Sequence, residues 1–546
     1  MLRSWWHRER LAERTSAGRW GARPLALVLV ALTVLLAACG DDDGGGDEAA
    51  GKPVRGGEVT ALLGVGYAGT WPAGLDPATN TNGAANQHMM TSIFGQLFQL
   101  GTDGKVVPTL ARGWDYASDA QSVRIFLRKG VKFSDGAPFD AQTVEWHFKR
   151  MLGSDCTCAP PWGPLVESVT SEGDDTVVIS FKVPYGAAIN SFIVSNVNWV
   201  ASKRSLERMG ERAFRLKPVG AGPFKVVSNK LSNELVLERN PNYFEKGKPY
   251  LDRLTFKTTG GDQAALQAIQ AGQAQVYDNL STPTLIDQVA EDSNLQVTQH
   301  LSTSPYVLQL NTAVPPFDDK KAREAIYYAT DTEVIRTNLF KNKYETTQSF
   351  TGPGGLFHHQ KVPGYRTYDL EKAKQLVRDL GGLKVTLGTI KVLVAEQTTQ
   401  ALQTQWEEAG MDVTIRSYDL PGLIQAFESQ KWNAMLQTAG SWDPAGGVGV
   451  AFRYLSTSPF SGTHDKKLDG LLNSAAATTD LEERDKRYQA AAKYMSDQAY
   501  SPFLFAFAPA SVVTNNVQAP GLTEAIPAVV VIPTVPWEEV SAASEE

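Results

Sequence analysis

Between Ile390 and Ile415 the hydrophobic period changes twice. Ile390-Lys-Val-Leu-Val394 is an apolar run of strand length. Residues 398–409 carry helical spacing, and Gly410 follows them. Met411-Asp-Val-Thr-Ile415 then alternates with the period of two that a half-buried strand needs. Strands joined through a helix lie parallel, because a tight turn connects only antiparallel neighbours. A parallel pair is buried on both faces, so helices must cover it. This one unit commits its part of the chain to a layered α/β fold.

The rest repeats the mixture without an internal repeat. Strands are expected at 58–63, 122–127 and 177–181, with a hairpin of 224–227 and 234–237. Asp140 caps a helix over 141–152, with Val144, Phe148 and Met151 on one face. A short helix over 264–271 closes at Gly272. Asp319 caps 320–330, burying Ala322, Ala325, Ile326 and Ala329. Asp369 caps 370–380, and Gly381 lies past its end. Leu468, Leu471, Leu472 and Ala475 stripe a further helix. The apolar, proline-bearing stretch 502–537 reads as short strands returning to the body. A chain of 546 residues exceeds one core. Two lobes with mixed sheets are expected, one around residues 306–500 and one around the rest.

The N-terminus places this body outside the cytoplasm. Arg3, Arg8, Arg10, Arg14, Arg19 and Arg23 precede an apolar run from Leu25 to Ala38. The run is shorter than the roughly 20 apolar residues of a spanning helix. A basic stretch, a short apolar stretch and small residues form a secretory signal over residues 1–38. Gly40-Asp-Asp-Asp-Gly-Gly-Gly and the residues up to 54 cannot bury a core, so 39–54 is a flexible tether. The net charge of −7 becomes more negative once the basic leader is removed. It excludes a nucleic-acid surface and favours solubility.

Leu36-Ala37-Ala38-Cys39 resembles the lipobox of bacterial lipoproteins. That resemblance implies diacylglycerol on Cys39 and cleavage just before it. Other blocks carry a second resemblance. Leu127-Arg-Lys-Gly-Val-Lys-Phe-Ser-Asp-Gly-Ala-Pro-Phe-Asp-Ala-Gln-Thr-Val144 is similar to the signature of the peptide/nickel family of ABC-importer binding proteins, solute-binding family 5. Pro218-Val-Gly-Ala-Gly-Pro-Phe224, Arg239-Asn-Pro-Asn-Tyr-Phe244, Gly247-Lys-Pro-Tyr-Leu-Asp252, Leu310-Asn311 with Pro315-Pro-Phe-Asp-Asp319, and Leu75-Asp76-Pro77 resemble further family blocks. Order and spacing agree from about Gly56 to Val513.

The resemblance implies a two-lobed periplasmic-binding-protein-like fold, type II and class C-like, closing on ligand by a hinge. The first lobe would be 55–305 with an extra subdomain at about 99–215. The second would be 306–500, with 501–540 returning to the first and 541–546 a tail. The implied function is extracytoplasmic capture of a short peptide for the permease and ATPase subunits of an ABC importer. The protein would be an anchored monomer at the outer face of the cytoplasmic membrane, with no cofactor and no catalytic residue. A metal chelate, an oligosaccharide, or a sensor or enzyme on the same fold are the alternatives.

In the peptide-binding branch an acidic residue three positions after a tryptophan meets the ligand ammonium. Here Ala445 holds that position after Trp442, and Asp443 follows the tryptophan directly. Asp443 either pairs with an ammonium or makes a turn with Pro444. Tyr67 and Trp71 follow the first strand, where family loops approach the cleft; the alternative is ordinary packing. Cys156 and Cys158 form a local disulfide or remain two thiols, with too few neighbouring ligands for a metal site. Gly64-Val-Gly-Tyr-Ala-Gly69 is no dinucleotide loop, because Pro72, Gly74 and Pro77 block the helix that must follow. His358-His359 are adjacent and point apart.

Overall fold

The computed structural model describes residues 53–64, 71–80, 86–154, 156, 159–193, 195–438, 442–446, 449–528 and 533–542, without the side chains of 159–160. Cys39, Tyr67 and Cys158 lie outside the described residues. Cys156 is buried and disulfide-bonded.

Two large mixed sheets organise the described chain. The first runs Leu295–Gln299, Ala510–Thr514, Val276–Leu280, Glu58–Gly64, Arg253–Thr259, Glu234–Arg239, Phe224–Lys230. At its centre Glu58–Gly64 is parallel to both Arg253–Thr259 and Val276–Leu280. The second runs Glu345–Thr346, Phe503–Ala506, Pro305–Leu310, Ala434–Thr438, Lys384–Ile390, Asp412–Tyr418. There Lys384–Ile390 is parallel to Asp412–Tyr418 and to Ala434–Thr438. Each sheet has its own apolar core.

The chain passes between the sheets twice, at 300–304 and at 507–509. The two passages touch, the amide of His300 donating to the Pro509 carbonyl at 3.3 Å. Phe503–Ala506 pairs with Pro305–Leu310, so the return to the first sheet begins after Ala506, not at 501. A strand of apolar residues beside Pro305–Leu310 gains more burial by completing the second sheet than by leaving it.

A third core belongs to an antiparallel sheet ordered Ala111–Tyr116, Ser122–Leu127, Thr176–Phe181, Val166–Glu172. The helix Ala141–Leu152 covers it, with Asp140 accepting from the Thr143 amide and Val144, Phe148 and Met151 buried. This core also takes in Trp442, Ala445 and Ala476 from the chain that builds the second lobe.

The βαβ unit forms, but its first strand is Lys384–Ile390 rather than 390–394. Val392 stands at the N-cap position of the following helix, Leu393–Glu408, without a side-chain capping bond. A short apolar run does not distinguish a buried strand from a buried first turn. Val385 and Leu387 alternate into the core, and Gly388 makes room for the Met435 sulfur.

Candidate functional site: the cleft between the sheets

In an open α/β sheet the crevice outside the carboxyl ends of the parallel strands is the natural ligand site. Here both sheets present that edge to one cleft. Gly64, Asp262, Asn279 and Thr282 line it from the first sheet's strand ends, and Lys391 and Asp419 from the second's. The cleft has a volume of about 910 Å³.

Its two carboxylates already have work. Asp262 accepts from the Tyr277 hydroxyl at 2.7 Å, and from the Thr282 amide at 2.8 Å and hydroxyl at 2.6 Å. Asp419 caps the helix Leu420–Glu428 through the Gly422 amide at 2.9 Å. Asn279 is different. It is 6% exposed, and its Nδ2 has no acceptor. A buried donor left open faces a cost of about 1–3 kcal/mol until something accepts from it. Lys391 is exposed at the same rim.

Trp442 and Asp443 lie at the junction between the subdomain and the second lobe. Trp442 is buried in the subdomain core. Asp443 is 1% exposed, and its carboxylate accepts from groups on several elements. Arg484 Nη2 donates to its two oxygens at 2.9 and 2.8 Å. Asn190 Nδ2, from the subdomain, donates to Oδ2 at 2.7 Å, and the Ala445 amide donates to Oδ1 at 2.9 Å. Burial, the largest single influence, would lower the Arg484 pKa, and the Asp443 charge together with Tyr488 and the hydrogen bonds to both raises it instead. The turn is present too, the Gly446 amide donating to the Asp443 carbonyl at 2.8 Å.

Backbone bonds fasten the same junction. The amides of Gly186 and Ala187 donate to the carbonyls of Ala477 and Ala476 at 3.2 and 3.0 Å. Gly186 is needed for this approach: a Cβ there would sit 2.2 Å from the Thr478 carbonyl carbon. Tyr185 bonds Ser191 at 2.6 Å and reaches the Ala445 carbonyl at 3.4 Å, and burial pushes its hydroxyl up to about 12.

Trp71 is fully buried in the first-lobe core, its Nε1 donating to Asn229 at 2.9 Å. His358 bonds the Thr351 carbonyl at 2.7 Å, whereas His359 pairs with Asp485 at 2.6 Å. Among the described residues no three His, Cys, Asp or Glu side chains gather to hold a metal.

At the passage between sheets His88 pairs with Asp278, and His300 bonds Ser511 at 2.6 Å. Burial lowers His300 to about 4 against the pull of Asp278.

Sequence reasoning passed over Asn279, Asn190 and Arg484. Asn279 carried a readable signal, a polar Asp-Asn pair closing the otherwise apolar Val276–Leu280 strand. Asn190 and Arg484 carried none, because what matters is a partner far away in sequence.

The model of the bacterial extracellular solute-binding proteins, family 5, matches residues 105–462. The chain is 26% identical over 437 residues to a glutathione-binding protein of Salmonella paratyphi A, covering 76% of this chain and 83% of that one. It is 24% identical over 461 residues to di/tripeptide-binding protein 1 of Pseudomonas aeruginosa, covering 78% and 86%. Its fold matches the oligopeptide-binding protein AppA of Bacillus subtilis with a TM-score of 0.76 at 20% identity, over 90% of this chain and 100% of that one. Two mixed sheets, two passages and a cleft at the strand ends are the two-lobed, type II arrangement, and the chain belongs to family 5 of the bacterial extracellular solute-binding proteins, capturing a solute outside the cytoplasm for an ABC importer rather than transforming it.

Proposed function

We propose that this protein holds a short peptide, or a peptide-like solute such as a glutathione-type γ-peptide, in the cleft between its lobes. The observation that carries this reading is the shared cleft, where the carboxyl ends of parallel strands from both sheets meet beside an unpartnered, buried Asn279 amide. An extended peptide offers carbonyls to such a donor along its whole length. The relatives that bind glutathione and di- or tripeptides support this class.

The leader, tether and Cys39 fit a monomer exported and anchored by acyl chains at the outer face of the cytoplasmic membrane. The lobes divide near residues 300–304 and 507–509, and these passages serve as the hinge. Tyr67 follows Gly64, which lines the cleft, and is assigned to the ligand side. Asp443 is assigned to lobe closure, since Arg484 and Asn190 hold its carboxylate. A solute without a free ammonium is the second reading, favoured by Ala445 at the position where an acidic partner is expected.

A thermal-shift screen of residues 55–546 tests this. Free di- and tripeptides, their N-acetylated forms, glutathione, nickel with histidine and maltotriose are the probes. A ligand of the folded state raises the melting temperature by mass action. Peptides or glutathione are expected to shift it, acetylated forms included. A shift from maltotriose or nickel–histidine alone would remove the peptide assignment.

A further inference from the structure

Cations on the first sheet are answered within the protein. Lys225 faces Glu238 at 2.8 Å, Lys230 faces Glu234 at 3.0 Å, and Arg253 faces Glu58 at 3.5 Å.

The segment 203–217, beside that sheet, differs. It carries six basic side chains against two glutamates, in a chain whose net charge is −7. Ser202 caps the helix Lys203–Met209 through the Ser205 amide, Gly210 breaks it at a φ of 76°, and the turn Glu211–Phe214 follows. Ser205 and Phe214 are buried, Phe214 in the first-lobe core, so the backbone is held from within. Arg204 pairs with Asp135 at 3.1 Å, and Lys203 approaches Glu207 at 3.9 Å. Arg208, Arg212, Arg215 and Lys217 form no ion pair among the described residues. Arg208, Arg212 and Lys217 are exposed, and Arg215 Nε has no acceptor. Leu216, between two of these cations, is 37% exposed. Arg204 and Arg208 stand one turn apart on one helix face, where like charges repel. An anionic partner would relieve that repulsion. Unanswered cations around an exposed leucine suit an anionic membrane surface, which takes both.

The position of the segment suits the same partner. Asn229 Nδ2 donates to the Leu216 carbonyl at 3.0 Å, which ties the segment to the edge strand Phe224–Lys230. The chain enters the same sheet at Gly56, whose amide donates to the Tyr250 carbonyl at 2.9 Å. Between Glu58–Gly64 and the edge strand lie two others, Arg253–Thr259 and Glu234–Arg239. Three strand spacings and one strand length put the patch about 25 Å from the point of entry. The sequence from Cys39 to Val54 spans at most about 55 Å when extended. A membrane holding Cys39 is therefore within reach of the patch.

We infer that the face built by 203–217 rests on the anionic headgroups of the membrane that holds the tether, so that the anchored protein lies on its first lobe. This goes beyond solute capture and takes from the reading above only the tether.

The test is co-sedimentation of residues 55–546 with vesicles of phosphatidylglycerol or of phosphatidylcholine at millimolar lipid. It uses the domain without its anchor, so failure leaves the anchor and solute capture standing. The domain is expected to sediment with phosphatidylglycerol, not with phosphatidylcholine, and to be released by high salt. Each cation near an anionic surface is worth about fivefold in partition, so Arg212→Gln with Lys217→Gln should lower it about 25-fold. The melting temperature should not change, because both side chains are exposed. Lys320→Gln with Lys321→Gln removes the same charge from another exposed site and should change partition little. Absence of binding to phosphatidylglycerol, or an equal fall in both double variants, overturns the membrane face. Binding to polyglutamate with none to vesicles assigns the patch to an acidic protein and overturns it as well.

Discussion

The two sides of the molecule where its lobes face each other are built on opposite terms. At the subdomain junction the central carboxylate is met by complementary donors. Asp443 is enclosed by Arg484, Asn190 and the Ala445 amide, and Gly186 and Ala187 bond the facing backbone. At the cleft the carboxylates accept from within, while Asn279 keeps an open donor. A finished surface closes on itself, whereas an unfinished one waits for something to close on. The difference separates residues that bring the lobes together from residues that meet the solute.

Asp443 gives the largest effect. Replacing Asp443 by Ala leaves the buried Arg484 guanidinium without its counter-charge, which costs about 3–5 kcal/mol for a broken buried pair. Urea unfolding of the ligand-free domain should register that loss. An Asp443 kept only for a ligand ammonium would give the opposite result, an Ala variant at least as stable as the wild type.

Acid tests whether the two sides share one hinge. His300 lies in the passage between the sheets and is held neutral, lowered to about 4 from 6.5. The unfolded chain takes up a proton below about pH 6.5, and the folded one does not until about pH 4. Stability is therefore lost as pH falls through that window, by up to about 3 kcal/mol at 1.36 kcal/mol per unit. Melting curves from pH 7 to 4 should show the decline, and His300→Gln should lessen it, leaving the share due to buried His147. A decline of the same size in the variant would place its origin elsewhere, with buried His147 the next group to examine.

Gly186→Ala addresses closure alone. The added methyl meets the Thr478 backbone, which is not the far end of a flexible side chain and has to move. Overpacking of this kind costs about 1–3 kcal/mol, charged here to the closed arrangement. Small-angle scattering should report a larger radius of gyration, with the melting temperature nearly unchanged. An unaltered radius would mean that the junction is not the device that holds the lobes shut.

Local features were legible in the sequence. Asp140, Asp319 and Asp369 cap the helices expected of them, because a cap is settled within three residues. The apolar run at 390–394 was ambiguous for a physical reason, since burial on all sides looks alike in a strand end and a helix start. Trp71 shows the same limit: an aromatic after a glycine-rich stretch of sequence serves a core or a cleft equally well until the sheet beneath it is placed. Asp443 could be singled out as a residue type but not assigned, because Arg484 is 41 positions away and Asn190 is 253.

The smallest effect sharpens the comparison most. Asn279→Leu removes a donor that nothing in the described protein accepts from, and leucine keeps the number and branching of its side-chain heavy atoms. An apolar replacement of an open donor is neutral or stabilising to the fold. Binding of whichever probe shifts the wild type should weaken about tenfold, the value of one lost hydrogen bond of about 1.4 kcal/mol. Calorimetric titration beside a melting curve separates the two quantities. Weaker binding with an unchanged melt puts Asn279 on the ligand side of the division. A destabilised fold with unchanged affinity would move it to the finished side.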